Sequence, residues 1–154
     1  MKKEEGFTWH CHHNILMEWC YDYETRVEII KANKPANEIP TRLRLFKFVK
    51  GKLPKEIIEN GRKRKETERK LGEARLKWGE ARRKWHETEL NEAWRKYDEA
   101  WRKYDEAWQE LNKSISRHLP ELEALHKREC GCKEWNGSEI VFGKKQESAR
   151  IRGA

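Results

Sequence analysis

The chain is expected to be an α+β protein: a small β-α-β head plus a C-terminal strand, with a long heptad-repeat helix between them. Two patterns carry this prediction. Residues 7–23 and 41–49 alternate apolar and polar side chains with period two, as half-buried strands do. Residues 71–125 place apolar side chains three and four apart, which gives a helix one apolar seam.

In chain order, residues 7–23 are long for a single strand, so a break near Asn14 is expected, giving a bent strand or hairpin. Residues 24–33 (ETRVEIIKAN) space Val27, Ile30 and Ala32 like a short helix, ended by Lys34-Pro35. Residues 41–49 (TRLRLFKFV) read as the next strand, and Gly51 to Pro54 break it. Pro54 suits a first helical turn, where its missing N–H costs nothing. The expected divisions are a head at 1–53, a helical arm at 54–129, a Cys-containing turn and strand packed on a head at 130–143, and a disordered basic tail at 144–154.

The arm holds the repeats. Residues 92–98 and 99–105 are identical copies of EAWRKYD, and EAWQELN follows; EARLKWG and EARRKWH precede them. Trp94, Trp101, Trp108 and Ile115 form one column seven apart, and Tyr97, Tyr104 and Leu111 a second. Upstream the column is Leu71, Trp78 and Trp85. These ten residues are the expected self-association surface. The nine-residue step from Trp85 to Trp94 moves the seam by roughly a third of a turn. No Gly or Pro lies between His86 and Asn91, so a continuous coiled-coil helix is expected, pairing as an antiparallel homodimer. A helical hairpin is the alternative. Gly72 and Gly79 should weaken the first half by about 1 kcal/mol each relative to Ala. Pro120 should kink the helix or start a new one.

Charge is uneven. The formal net charge is +8, and residues 62–84 hold eleven Lys/Arg against four Glu. Arg62, Lys63, Arg64, Lys65, Arg69, Lys70, Arg75, Lys77, Arg82, Arg83 and Lys84 are therefore candidate contacts to nucleic acid or another polyanion. A solvated helix face is the alternative. No run of about 18 apolar residues exists, which excludes a transmembrane helix. Four Cys without an apolar leader point to a reducing cytoplasm and to thiols or metal rather than disulfides.

The ends carry the metal-ligating residues. His126 and Cys130 are four apart on one helical face, and Cys132 follows a glycine. With one His from the head they would make a Cys₂His₂ zinc site, about one Zn per chain. Strand parity puts His10 and His12 together. His12 is the preferred fourth ligand, with His10, His13 and Cys20 as spares. Buried thiols and surface histidines are the alternative. A metal-dependent hydrolase would need an acid or base nearby, such as Glu18 or Asp22. Without a nucleophile motif or phosphate loop, no catalytic residue is assigned.

Trp9-His10-x-His12-His13, Lys31-Ala-Asn-Lys-Pro35, Thr41-Arg-Leu-Arg-Leu45, His118-Leu-Pro-Glu121, Glu129-Cys130 and Trp135-Asn-Gly137 are spread over most of the chain. Together they resemble an uncharacterised family of small bacterial and phage-borne proteins with a repetitive central helix. Relatives often carry Cys-x₂-Cys before Trp-Asp-Gly, where this chain has Cys130-Gly131-Cys132 and a longer run to Trp135. The resemblance implies the division of the chain and no activity. The functional expectation is a non-enzymatic scaffold or adaptor that self-associates through its arm and is zinc-clamped at its ends. The alternative is a nucleic-acid-binding protein using residues 62–84.

Overall fold

A computed structural model describes residues 4–10, 13, 15–85 and 87–143. The protein is α+β, as the periodicities predict. Its elements are β1 (Gly6–Trp9), β2 (Met17–Cys20), α1 (Tyr23–Asn33), α2 (Ile39–Leu45), β3 (Lys47–Phe48), α3 (Lys55–Lys84), α4 (Glu87–Arg117) and α5 (Leu119–Glu129). They form two compact units. The head unit joins the residues up to Gly51 with those from Glu123 onward, and the arm unit is Lys52–Leu122.

The head sheet has order β2-β1-β3, with β1 antiparallel to both neighbours. The first alternating run is therefore a hairpin, broken between Trp9 and Met17. Asp22 caps α1, its carboxylate accepting from the Thr25 amide at 3.0 Å. Ile30, Phe46 and Cys20 are fully buried together, against Tyr23, Val27 and Leu43. Tyr23 stacks on Phe46 with ring centroids 4.5 Å apart.

The second alternating run departs from expectation. Most of it is helix α2, and only Lys47–Phe48 pair as β3. Ile39, Leu43 and Phe46 also satisfy a four-three helical spacing, and Pro40 sits in the first turn, where it favours helix. The expected C-terminal strand is likewise reduced to one bridge, Trp135 to Ile140. The Asn136-Gly137 turn does form. The Asn136 carboxamide oxygen accepts from the amides of Ser138 and Glu139, both at 2.9 Å. The expected disordered tail, 144–154, lies outside the described residues.

The arm is the hairpin, not the continuous helix. Trp85 ends α3 in the left-handed conformation, φ 52 and ψ 35, and α4 starts at Glu87. A left-handed residue is the usual way to end a helix, but the position normally belongs to glycine. The reversal lets the two halves of the seam cover each other. Trp78 meets Trp94 and Tyr97 at centroid distances of 5.4 and 5.7 Å. Farther along, Ile57, Ala107, Leu111 and Ser114 are buried. Lys63 pairs with Glu110 at 2.6 Å, and Arg117 with Glu56. The hairpin thus supplies within one chain the antiparallel neighbour expected from a dimer. α4 ends at Arg117, and Pro120 falls in the first turn of α5.

Gly72 and Gly79 lie inside α3, and a β-carbon at either would meet nothing within 4 Å. Gly72→Ala and Gly79→Ala should each stabilise the arm by about 0.5–1 kcal/mol, because alanine loses less backbone entropy on entering a helix. Urea midpoints of the full chain check this. A lowered midpoint would mean that the helix is interrupted there.

Candidate metal centre

The centre is assembled from both ends of the head unit. α5 carries His126 and ends at Glu129. Its final carbonyl partner is shared: the His126 oxygen accepts from the amides of Cys130 and Gly131, at 2.8 and 3.1 Å. Gly131 takes φ 56, in the left-handed region that favours glycine. This bend carries Cys132 back beside His126. From the other end, β1 stops at Trp9, and His10 leaves the strand at φ 45.

One ligand atom from each of His10, His126, Cys130 and Cys132 falls within 4.8 Å of all the others. The two His Nε2 atoms are 2.7 Å apart, and Cys132 Sγ is 3.4 Å from each. A tetrahedral zinc with Zn–N near 2.0–2.1 Å and Zn–S near 2.3 Å separates neighbouring ligands by about 3.3–3.8 Å. The two N–S separations fit an N₂S₂ site, and the N–N separation would have to open by about 0.6 Å to admit the ion. His10 Nδ1 lies 3.2 Å from the Ile15 carbonyl oxygen, which can only accept. Nδ1 thus carries the proton and Nε2 presents its lone pair inward, the orientation that metal-binding histidines take from their outer partners.

Burial holds the group in its neutral state. His10 is buried, and its pKa is lowered from 6.5 to about 4 by burial and then by His126 beside it. His126 is lowered by burial. Burial and the adjacent Cys132 push the Cys130 thiol up to about 11. Neutral imidazoles bind cations readily, whereas thiols kept protonated need a positive ion to release their protons.

No protein-family model, curated protein or solved structure matches the chain.

His126, Cys130 and Cys132 stand together as the spacing predicts. His10, one of the spares, holds the fourth place. The preferred ligand, His12, lies outside the described residues, as does Cys11. Of the other spares, His13 bonds Glu18 at 2.9 Å, and Cys20 is in the apolar core. The two acids considered for hydrolysis have structural partners: Glu18 bonds His13, and Asp22 caps α1.

Glu129, which the sequence reading named only within the Glu129-Cys130 stretch and gave no role, anchors the site. Its carboxylate accepts from the Trp9 indole at 2.9 Å, the Lys50 amide at 3.0 Å and the Gly51 amide. Burial alone would raise its pKa, but these donors hold it below the usual carboxylate value. Gly51 permits the approach, since a β-carbon there would run into the Leu125 and Glu129 side chains. Trp135 walls the site, its ring centroid 5.6 Å from that of His10. Beyond that stretch, Glu129 stands three residues after His126, where it reads as one more helix-end charge.

The arm residues divide. Of the expected nucleic-acid contacts, Arg64 is buried, its guanidinium 3.8 Å from the Trp108 ring centroid. Lys63 pairs with Glu110, and Arg69 and Lys70 share Glu66. Arg62, Lys65, Arg75, Lys77, Arg82, Arg83 and Lys84 are exposed. Of the expected self-association seam, Leu111 is buried, and Leu71, Trp78, Tyr97, Tyr104, Trp108 and Ile115 are half-buried within the hairpin. Trp85, Trp94 and Trp101 instead remain 83%, 49% and 48% exposed.

Acid should weaken the metal-free head. Unfolded, His10 takes up a proton near pH 6.5; folded, it does so only near 4. The stability it contributes is intact above 6.5 and drains away as pH falls from 6.5 to 4. Glu129, with its lowered pKa, adds a further loss on acidification through its folded value. Thermal midpoints followed in chelator across this range should fall. A flat profile would mean that His10 titrates as if exposed.

Proposed function

We propose that the protein is a non-enzymatic scaffold whose head unit is closed by one structural Zn²⁺ on His10, His126, Cys130 and Cys132. The observation that carries this reading is the convergence of four donors, drawn from opposite ends of the chain, within 4.8 Å. Two imidazoles and two thiolates suit zinc better than magnesium or calcium, which prefer oxygen. Four protein donors fill a tetrahedral shell and leave no position for a reacting water, which favours a structural role over hydrolysis. The head has only short strands and a small core, so a metal crosslink supplies closure that apolar burial does not. The helical arm, extendable by whole heptads, then acts as a spacing element on this head.

Elemental analysis of protein purified without added metal tests the proposal. About one zinc per chain is expected, lost in Cys132→Ser and in His10→Ala. A metal-free preparation that melts identically with zinc and with chelator would overturn it.

A further inference from the structure

The arm hairpin ends in a second unusual feature. Trp85 occupies the left-handed region, where a side chain as bulky as indole is rare. The residue is nonetheless 83% exposed. Together with Trp78, Arg82, Leu90, Asn91 and Trp94 it lines a cleft of about 340 Å³. That is the small end of the range for ligand sites. Trp78 and Trp94 meet at 56° with centroids 5.4 Å apart, and the Arg82 guanidinium lies 5.8 Å from the Trp78 centroid.

Three indoles can receive two kinds of ligand. Aromatic walls can cage a quaternary ammonium. Here a guanidinium in the wall opposes any cation. Arg82, Arg83 and Lys84 form the last turn of α3, and among the described residues none of them makes an ion pair. The acids Glu89 and Glu92 at the start of α4 line a different groove, beside Ala74 and Ala93. Arg82 is the one charged side chain among the described residues that line the cleft, and Glu87 in the first turn of α4 is not among them, so the cleft joins aromatic walls to a positive charge. A flat ring bearing phosphate satisfies both properties, and the Asn91 carboxamide offers a donor and an acceptor to a base edge.

We propose that the hairpin tip binds single-stranded nucleic acid. One unstacked base enters between Trp78, Trp85 and Trp94, and Arg82, Arg83 and Lys84 contact the adjoining phosphates. Paired, stacked bases cannot enter, so duplex is excluded. The site lies wholly within the arm unit and does not depend on the metal.

The test titrates full-length, zinc-supplemented protein into a fluorescein-labelled oligothymidylate of about 12 nucleotides at low salt. Saturable binding with quenching of tryptophan fluorescence is expected. Trp85→Gly keeps the left-handed turn without the ring and should weaken binding about 5- to 150-fold, with Trp85→Tyr restoring most of it. Arg82→Gln with Arg83→Gln should reduce the log–log salt slope by roughly 1.4. Absence of saturable binding would overturn the proposal, as would equal affinity for a duplex or an unaffected Trp85→Gly variant. Light scattering closes the remaining route. If Trp85→Gly lowers the mass of an oligomer and leaves oligonucleotide affinity unchanged, the cleft is a contact between copies and the proposal fails.

Discussion

Chelation of the proposed zinc is expected to melt the head and leave the arm helical. Structural zinc sites contribute about 10–16 kcal/mol of apparent binding free energy near neutral pH. This exceeds what a three-stranded sheet with short strands retains by itself. Without the ion, the buried His10 and His126 keep a 2.7 Å contact and Cys130 keeps its proton, a poor substitute for four metal bonds. α3 and α4, with 30 and 31 residues, hold most of the helix and contribute no ligand. Circular dichroism at 222 nm should therefore fall only modestly on chelation. Amide exchange should lose protection in β1, β2 and the end of α5. Cys132→Ser should reproduce the chelated state even with excess zinc. Collapse of all helical signal, or none of the head's protection lost, would each contradict the assignment of the metal to the head.

Glu129→Ala should cost about 2–4 kcal/mol, because three donors lose their acceptor together and at least the Trp9 indole is sealed from water. Because Glu129 adjoins Cys130 on the segment carrying His126, the same change should loosen the ligand set. Zinc affinity should drop roughly 10- to 100-fold, the usual effect of removing an outer-shell partner. Glu129→Gln keeps one acceptor oxygen and should fall between the two. Denaturant midpoints in chelator isolate the first effect, and competition with a chromophoric chelator isolates the second. A stable Glu129→Ala variant with unchanged zinc affinity would reduce this carboxylate to a surface charge.

Much of this was legible in the chain because it is local. The seam of α4 is written in three- and four-residue steps, Pro120 sits in a first turn, and the i,i+4 pair His126 and Cys130 lands on one face wherever the helix is placed. Strand parity did not place His10, which leaves β1 after Trp9 at φ 45. What misled was ambiguity of period over short runs. Residues 41–49 satisfy both two-residue alternation and a four-three spacing, and Pro40 with burial of Leu45 and Phe46 resolves them mainly as helix. Arg64 likewise reads as one cation in a basic run, until Trp108 and Tyr104 on the returning helix enclose it.

By itself the chain showed the helical character of the arm, its sheet-forming start, the apolar seam and the His126, Cys130 and Cys132 grouping, because each depends on neighbours within a few residues. Only the tertiary structure decided that the arm doubles back at a left-handed Trp85, which indoles the hairpin covers, and that His10 meets His126 across 116 residues. A periodic pattern states that a face must be covered without stating by what. The identity of the cover, and the distance between groups far apart in the chain, follow from which long-range contacts repay the entropy of closing the loops between them.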